Sequence, residues 1–105
     1  MFVIANENTK VPIKVWLPDE SYVDEICLEQ AYHLANLPFI HQWVSLMPDT
    51  HAGKGMPIGG VIAASGVIIP NAVGVDIGCG MAFTGTDIKV EELRSIMTGN
   101  GSFIQ

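Results

Sequence analysis

The sequence predicts a mixed α/β, or α+β, piece of protein, and three observations carry that expectation. An alternating segment opens the chain, one segment of helical period follows, and short β-branched packets between turn signals fill the second half. At 105 residues the chain has the size of a single domain, large enough to bury a core and too small for two.

"KVPIKVWLP" (10–18) puts Val11, Ile13 and Val15 on one face and Pro12, Lys14 and Trp16 on the other. That is a strand, and Pro12 places it at a sheet edge because proline cannot donate to a ladder. A helix is expected from Ser21, with Asp24 in the capping-box position. Val23, Ile26, Cys27, Gln30, Ala31, Leu34 and Ala35 follow at spacings of three and four and form a mostly apolar stripe. Pro38 disfavours helical geometry at its predecessor, so the helix stops near Leu37. "QWVSLM" (42–47) reads as a buried strand and "PDTHAGKGMPIGG" (48–60) as a loop. Strands are expected at 60–64, 67–69 and 80–86, then a short helix in "KVEELRSIM" with Gly99 at its C-terminal cap. "GNGSFIQ" offers no finish after that cap, which predicts a truncated chain. No internal repeat appears.

Hydrophobic residues make up 49% of the chain and charged ones 15%, with a mean hydropathy of +0.35. Ordinary domains carry about a quarter charged residues, so the chain is either membrane-associated or part of a larger body. Met56–Val75 has the length of a bilayer span, but Pro57, Pro70, Asn71 and glycines interrupt it. Its apolar residues come in packets, Val61–Ala64 and Val67–Ile69, split by Ser65-Gly66, which favours buried strands over a span. "MFVIANENTK" lacks the pattern of a signal peptide, so a cytoplasmic location is expected. The formal net charge of −6, with acids gathered in 19–29 and 87–92, opposes a nucleic-acid surface made by this segment alone. Cys27 and Cys79 form no CxxC pair.

Nine of the 11 glycines lie between Gly53 and Gly85, a density that signals positive φ or close backbone approach. The familiar phosphate motifs are absent: Gly53-Lys54-Gly55 is followed by Met56, and no GxGxxG exists. From Ala52 to Phe83 only Lys54 and Asp76 are charged. A carboxylate in such surroundings needs a partner or a cation. Asp76 and Cys79, three apart on a turn, suit one metal ion, with Mn²⁺, Fe²⁺, Co²⁺ or Zn²⁺ fitting the mixed donors better than Mg²⁺ or Ca²⁺. A turn aspartate beside a buried structural cysteine fits the same spacing. Asp49 and His51 read either as a catalytic or orienting pair, or as a turn aspartate beside an exposed histidine. His33, His41 and Cys27 read as structural residues.

Taken together, "MPDTHAGKGMPIGGVIAASGVIIPNAVGVDIGCGM" (47–81) resembles the RtcB family of RNA-splicing ligases. The Met-Pro-Asp-x-His-x-Gly-x-Gly loop and the Val-Gly-x-Asp-Ile-Gly-Cys-Gly turn both match, with the family's Pro-x-x-Val-Gly element between them. The resemblance implies a compact fold with β-sheets at the centre and helices around them, of which residues 1–105 are one amino-terminal segment. It implies joining of RNA 3′-phosphate or 2′,3′-cyclic phosphate ends to 5′-hydroxyl ends, in tRNA splicing or RNA repair. The cofactors implied are GTP, which guanylylates a histidine, and two Mn²⁺ ions. Cys79 then resembles the thiolate that bridges the ions, Asp76 a carboxylate on one of them, and Asp49 the group that orients the nucleophilic histidine. That histidine and the remaining ligands have no counterpart here; His33 and His41 match none of them. His51 and the Gly53–Gly60 loop belong to the motif without an assigned role. The partners implied are RNA, an archease-type activator and the remainder of the polypeptide, which would also cover the surplus apolar surface. Alone, the 105-residue chain is expected to be inactive. Alternatives are a metal-dependent phosphohydrolase or cyclic phosphodiesterase reusing the site, and a non-catalytic remnant.

Overall fold

The computed structural model describes residues 1–94. A sheet of four strands in the order β1-β2-β3-β4 is formed by β1 (Phe2–Ile4), β2 (Ile13–Val15), β3 (Ile40–His51) and β4 (Ile58–Ala64). β1 runs antiparallel to β2, β2 parallel to β3, and β3 antiparallel to β4, so the architecture is mixed α/β. The parallel pair requires a long crossover, and helix α1 (Glu25–Ala35) supplies it.

One face of the sheet and one face of α1 make the core. Ile13 and Val15 of β2, Val44 and Leu46 of β3, and Cys27, Ala31 and Ala35 of α1 are fully buried, with Val23, Leu34 and Ile40 nearly so. The alternation of 10–18 is realised in Ile13 and Val15, yet β2 is an interior strand. Pro12 escapes the ladder because it precedes the first paired residue and uses only its carbonyl, which accepts from Val44 N at 3.0 Å. The opening edge is β1, which the sequence pattern did not announce.

The helix begins later than Ser21. Glu20–Tyr22 is a single 3-10 turn capped by Asp19, and Asp24 is the N-cap of α1, its Oδ1 accepting from Cys27 N at 2.8 Å. It ends at Ala35 with Asn36 as C-cap, two residues before Leu37. Ile26, expected in the apolar stripe, is exposed.

β3 is twice the length of "QWVSLM" and takes in Pro48 to His51, so the expected loop shrinks to 52–57. Two irregularities make this length workable. Register slips between Ile40 and Val44, where Gln42 adopts φ 66, and again between Leu46 and His51, around Pro48. A bulge accommodates the missing N–H of Pro48 without breaking the strand.

The packets after β4 do not pair. Residues 67–69 and 80–86 form no strand; Ile68 is 87% exposed and Phe83 96%. Between them lies α2 (Pro70–Val73), a single turn with proline at its start. A strand needs a ladder partner, and the described residues offer none beyond β4. Residues 90–94 are helical, with Glu92 Oε2 reaching back to Lys89 N at 3.2 Å; the expected continuation, Gly99 and the "GNGSFIQ" end lie outside the described residues. The radius of gyration is 18.5 Å, against about 13 Å for a compact domain of this length, because the segment after α2 does not fold back. Among the described residues no helix is long and apolar enough to cross a membrane.

Replacing the true cap should therefore cost more than replacing the residue that the capping box points to. In urea unfolding, Asp24→Ala is expected to lose about 1–2 kcal/mol. Ser21→Ala should stay within about 0.5 kcal/mol of the parent. Equal losses would reject Asp24 as the cap.

Candidate functional site

The β3–β4 hairpin carries the first half of the site. Asp49 and His51 share one side of β3, both exposed, while Thr50 between them is buried on the other. The two do not pair through their side chains: His51 Nδ1 lies 2.8 Å from the Asp49 carbonyl oxygen. The Asp49 carboxylate instead rests over Gly59 of β4. A Cβ built on Gly59 would stand 2.7 Å from Asp49 Oδ1 and 3.1 Å from the Thr50 backbone, and Gly59 has φ +72. Both space and backbone geometry thus demand glycine there.

The loop at 52–57 has almost no regular pairing of its own, and side chains from outside the hairpin hold it. Asp24 Oδ2 accepts from Ala52 N at 3.1 Å. The Gln30 amide meets Gly53 twice, Nε2 donating to its carbonyl at 2.7 Å and Oε1 accepting from its N–H at 3.0 Å. Asn71 Nδ2 donates to the Lys54 carbonyl at 2.6 Å. Below the loop, Thr50 Oγ1 donates to Ile58 O at 3.0 Å and lies 3.3 Å from Cys27 Sγ.

The second half is the turn at 76–79. Cys79 N donates to Asp76 O at 3.2 Å, and Gly78 at the third position has φ +89, the value a type II turn requires. Asp76 and Cys79 therefore stand at the two ends of one turn, both exposed. A cleft of about 650 Å³ lies between the loop and α2: Gly53, Lys54, Gly59 and Gly60 line one side and Asn71 to Val75 the other, and neither Asp49 nor Asp76 nor Cys79 lines it. Among the described residues no group of three or more His, Cys, Asp and Glu side chains is gathered to hold a metal. His33 on α1 and His41 on β3 are exposed and lie outside this cleft.

Cys27 is buried, as its place in the helical stripe predicted, and burial pushes its thiol up from the ordinary value. The negative charge of Asp24 adds to that, and the Thr50 hydrogen bond opposes it. Sequence reasoning missed Gln30, Thr50 and Asn71. Gln30 had left a signal, being the one polar residue in an otherwise apolar stripe; Thr50 and Asn71 left none.

The sequence profile of the family described as tRNA-splicing ligase RtcB matches residues 30–100. The chain is 43% identical over 91 residues to the RNA-splicing ligase RtcB of Escherichia coli K12, covering 87% of this chain and 22% of that protein. It is 40% identical over 95 residues to the tRNA-splicing ligase RtcB of Thermococcus kodakarensis, covering 85% and 20%. For the tRNA-splicing ligase RtcB of Pyrobaculum aerophilum the identity is 37% over 91 residues, covering 81% and 19%. The chain thus spans about a fifth of the length of these relatives.

Three outcomes follow. Iodoacetamide at pH 8 should alkylate exposed Cys79 readily and buried Cys27 only on unfolding; equal labelling of both in the native chain would contradict the burial. Because the folded Cys27 pKa lies above its unfolded value, its stabilising contribution is full below about pH 9 and is lost as pH rises through the folded value. Gly59→Ala, strained at positive φ and opposed by Asp49, should lower stability by about 1–3 kcal/mol in a denaturant melt.

Proposed function

The chain belongs to the RtcB family of tRNA-splicing ligases, and from that membership we propose that it supplies part of the active site of an RNA ligase. The reaction joins RNA 3′-phosphate or 2′,3′-cyclic phosphate ends to 5′-hydroxyl ends, with GTP and Mn²⁺, in tRNA splicing or RNA repair. Residues 1–105 act as one amino-terminal segment, and the nucleophilic histidine and remaining ligands come from outside it. The observation that supports the reading is the cleft between 52–60 and 71–75, which lies between the Asp49 and Asp76–Cys79 motifs in the chain.

The donors present fit half of a manganese site. A carboxylate and a thiol at the two ends of a single exposed turn suit a borderline ion, and glycines at 74, 78 and 80 keep side chains away from it. Among the described residues no third His, Cys, Asp or Glu joins them. Bound divalent ions would neutralise phosphate charge and polarise the phosphoryl group.

This chain's own residues do the rest by position. Asp49, held over Gly59, accepts a hydrogen bond from the histidine that attacks GTP and fixes that ring's orientation and tautomer. The open backbone of the Gly53–Gly60 stretch and the single cation Lys54 face the cleft where phosphates would lie. RNA is the substrate partner, an archease-type protein the activator, and the cytoplasm the location in this reading.

The test replaces the matching segment of the E. coli relative with this chain and incubates the chimera with Mn²⁺ and α-labelled GTP. A covalent guanylate is expected, reduced by about 100-fold or more in Cys79→Ala and Asp49→Ala. A folded chimera that takes no label, or a Cys79→Ala variant that labels like its parent, would sink the ligase mechanism. Release of phosphate without label would favour the phosphohydrolase alternative.

A further inference from the structure

Gln30 stands mid-helix, half-buried, in a stripe otherwise given to the core. An amide costs stability at such a position unless both its groups are bonded. Both are, and to one residue: Gly53 accepts from Nε2 at 2.7 Å and donates to Oε1 at 3.0 Å. The side chain thereby makes the two hydrogen bonds that a neighbouring strand would make. With Asp24 on Ala52 and Asn71 on Lys54, three successive loop residues are each fixed from outside the hairpin.

That loop determines where β4 begins, and the second residue of β4 is Gly59, against which the Asp49 carboxylate rests. We propose that Gln30 is a positioning residue for Asp49, acting through the Gly53 backbone to set the hairpin that holds the carboxylate over Gly59. Its meaning for catalysis rests on the reading of Asp49 as the orienting carboxylate; the placement itself does not. A leucine at position 30 would serve the core at least as well, so what the amide adds is loop geometry.

The variants Gln30→Ala and Gln30→Glu separate this role from general packing. Glutamate keeps the acceptor for Gly53 N–H but loses the donor while ionised; protonation below about pH 4 restores it. Amide exchange and proton–proton proximities are measured by NMR on the 105-residue chain. In Gln30→Ala, exchange at Gly53 should rise about tenfold while amides in β2 stay near parental rates, and the Asp49–Gly59 proximity should be lost. Gln30→Glu keeps the acceptor, so Gly53 exchange should stay near the parent at pH 7. The Asp49–Gly59 proximity, which needs both bonds, should be lost at about pH 7 and return near pH 4; Gln30→Ala gains nothing from acid. In the chimera, Gln30→Ala should lower the rate of guanylate formation at saturating GTP by about 10–100-fold with KM little changed.

Uniform acceleration of exchange across the sheet, or an Asp49–Gly59 contact that survives Gln30→Ala, would overturn the proposal. So would a Gln30→Ala chimera with parental rate. A parental chimera that takes up no guanylate would instead defeat the ligase reading, since the exchange experiment uses neither GTP nor metal.

Discussion

The structure depends on the contact between α1 and the β3–β4 hairpin. Backbone groups in a partly buried loop must be satisfied, and a loop built from glycine and proline cannot satisfy them with its own side chains. Helix α1 resolves this with two residues that also serve the helix. Asp24 caps α1 with one carboxylate oxygen and holds Ala52 with the other. Gln30, one and a half turns on, holds Gly53. Between them Cys27 packs into the core beneath the same loop and touches Thr50. Helix start, core and loop are therefore one mechanical unit, and loosening any of them disturbs the place where Asp49 is presented.

The sheet is finished on one side only. Residues facing α1 are buried, whereas the opposite face carries Val3 at 50% exposure and Val61 at 54%, aligned through Lys14 and Ser45. Lys14 partly masks that face by lying over the Trp43 ring, 3.5 Å from its centroid. The segment after α2 exposes Val75, Ile77, Met81 and Phe83. A chain in water gains nothing from such residues unless something covers them. The chain spans about a fifth of the length of the curated relatives it matches.

How much of this was legible follows the same division. Where a pattern is rewarded within the described residues, it could be read: Ile13 and Val15 and the Cys27–Ala35 stripe lie where periodicity puts them. The 60–64 packet forms its strand, though Val61 is exposed where burial was expected, because no layer covers that face among the described residues. Where the reward lies elsewhere, reading failed. Residues 67–69 and 80–86 have strand composition without a ladder partner, so propensity had nothing to act on. Pro12 and Pro48 misled in opposite senses, one suggesting an edge and the other a loop, because a bulge or an offset of one residue removes the conflict between proline and pairing. The Asp49 and Asp76–Cys79 motifs were visible as residue types. The cleft between 52–60 and 71–75 and the support from Gln30 were not, since tertiary neighbours decide them.

The two halves of the candidate site therefore stand at different levels of preparation. Asp49 lies on a strand inside the sheet, over a glycine that admits no other residue without strain, behind a loop held at three successive positions. Its backbone position is set when the chain folds. Asp76 and Cys79 ride on a turn held by one backbone hydrogen bond, in a segment whose side chains are all exposed. Fixing that turn costs conformational entropy that this chain does not supply, about 1–2 kcal/mol per residue ordered. In the ligase reading that cost falls to whatever covers Val75, Ile77 and Met81, so that burial of those side chains and assembly of the metal ligands become a single event. An active site built this way stays incomplete until the apolar surface beside it is covered, which ties the chemistry to completion of the fold.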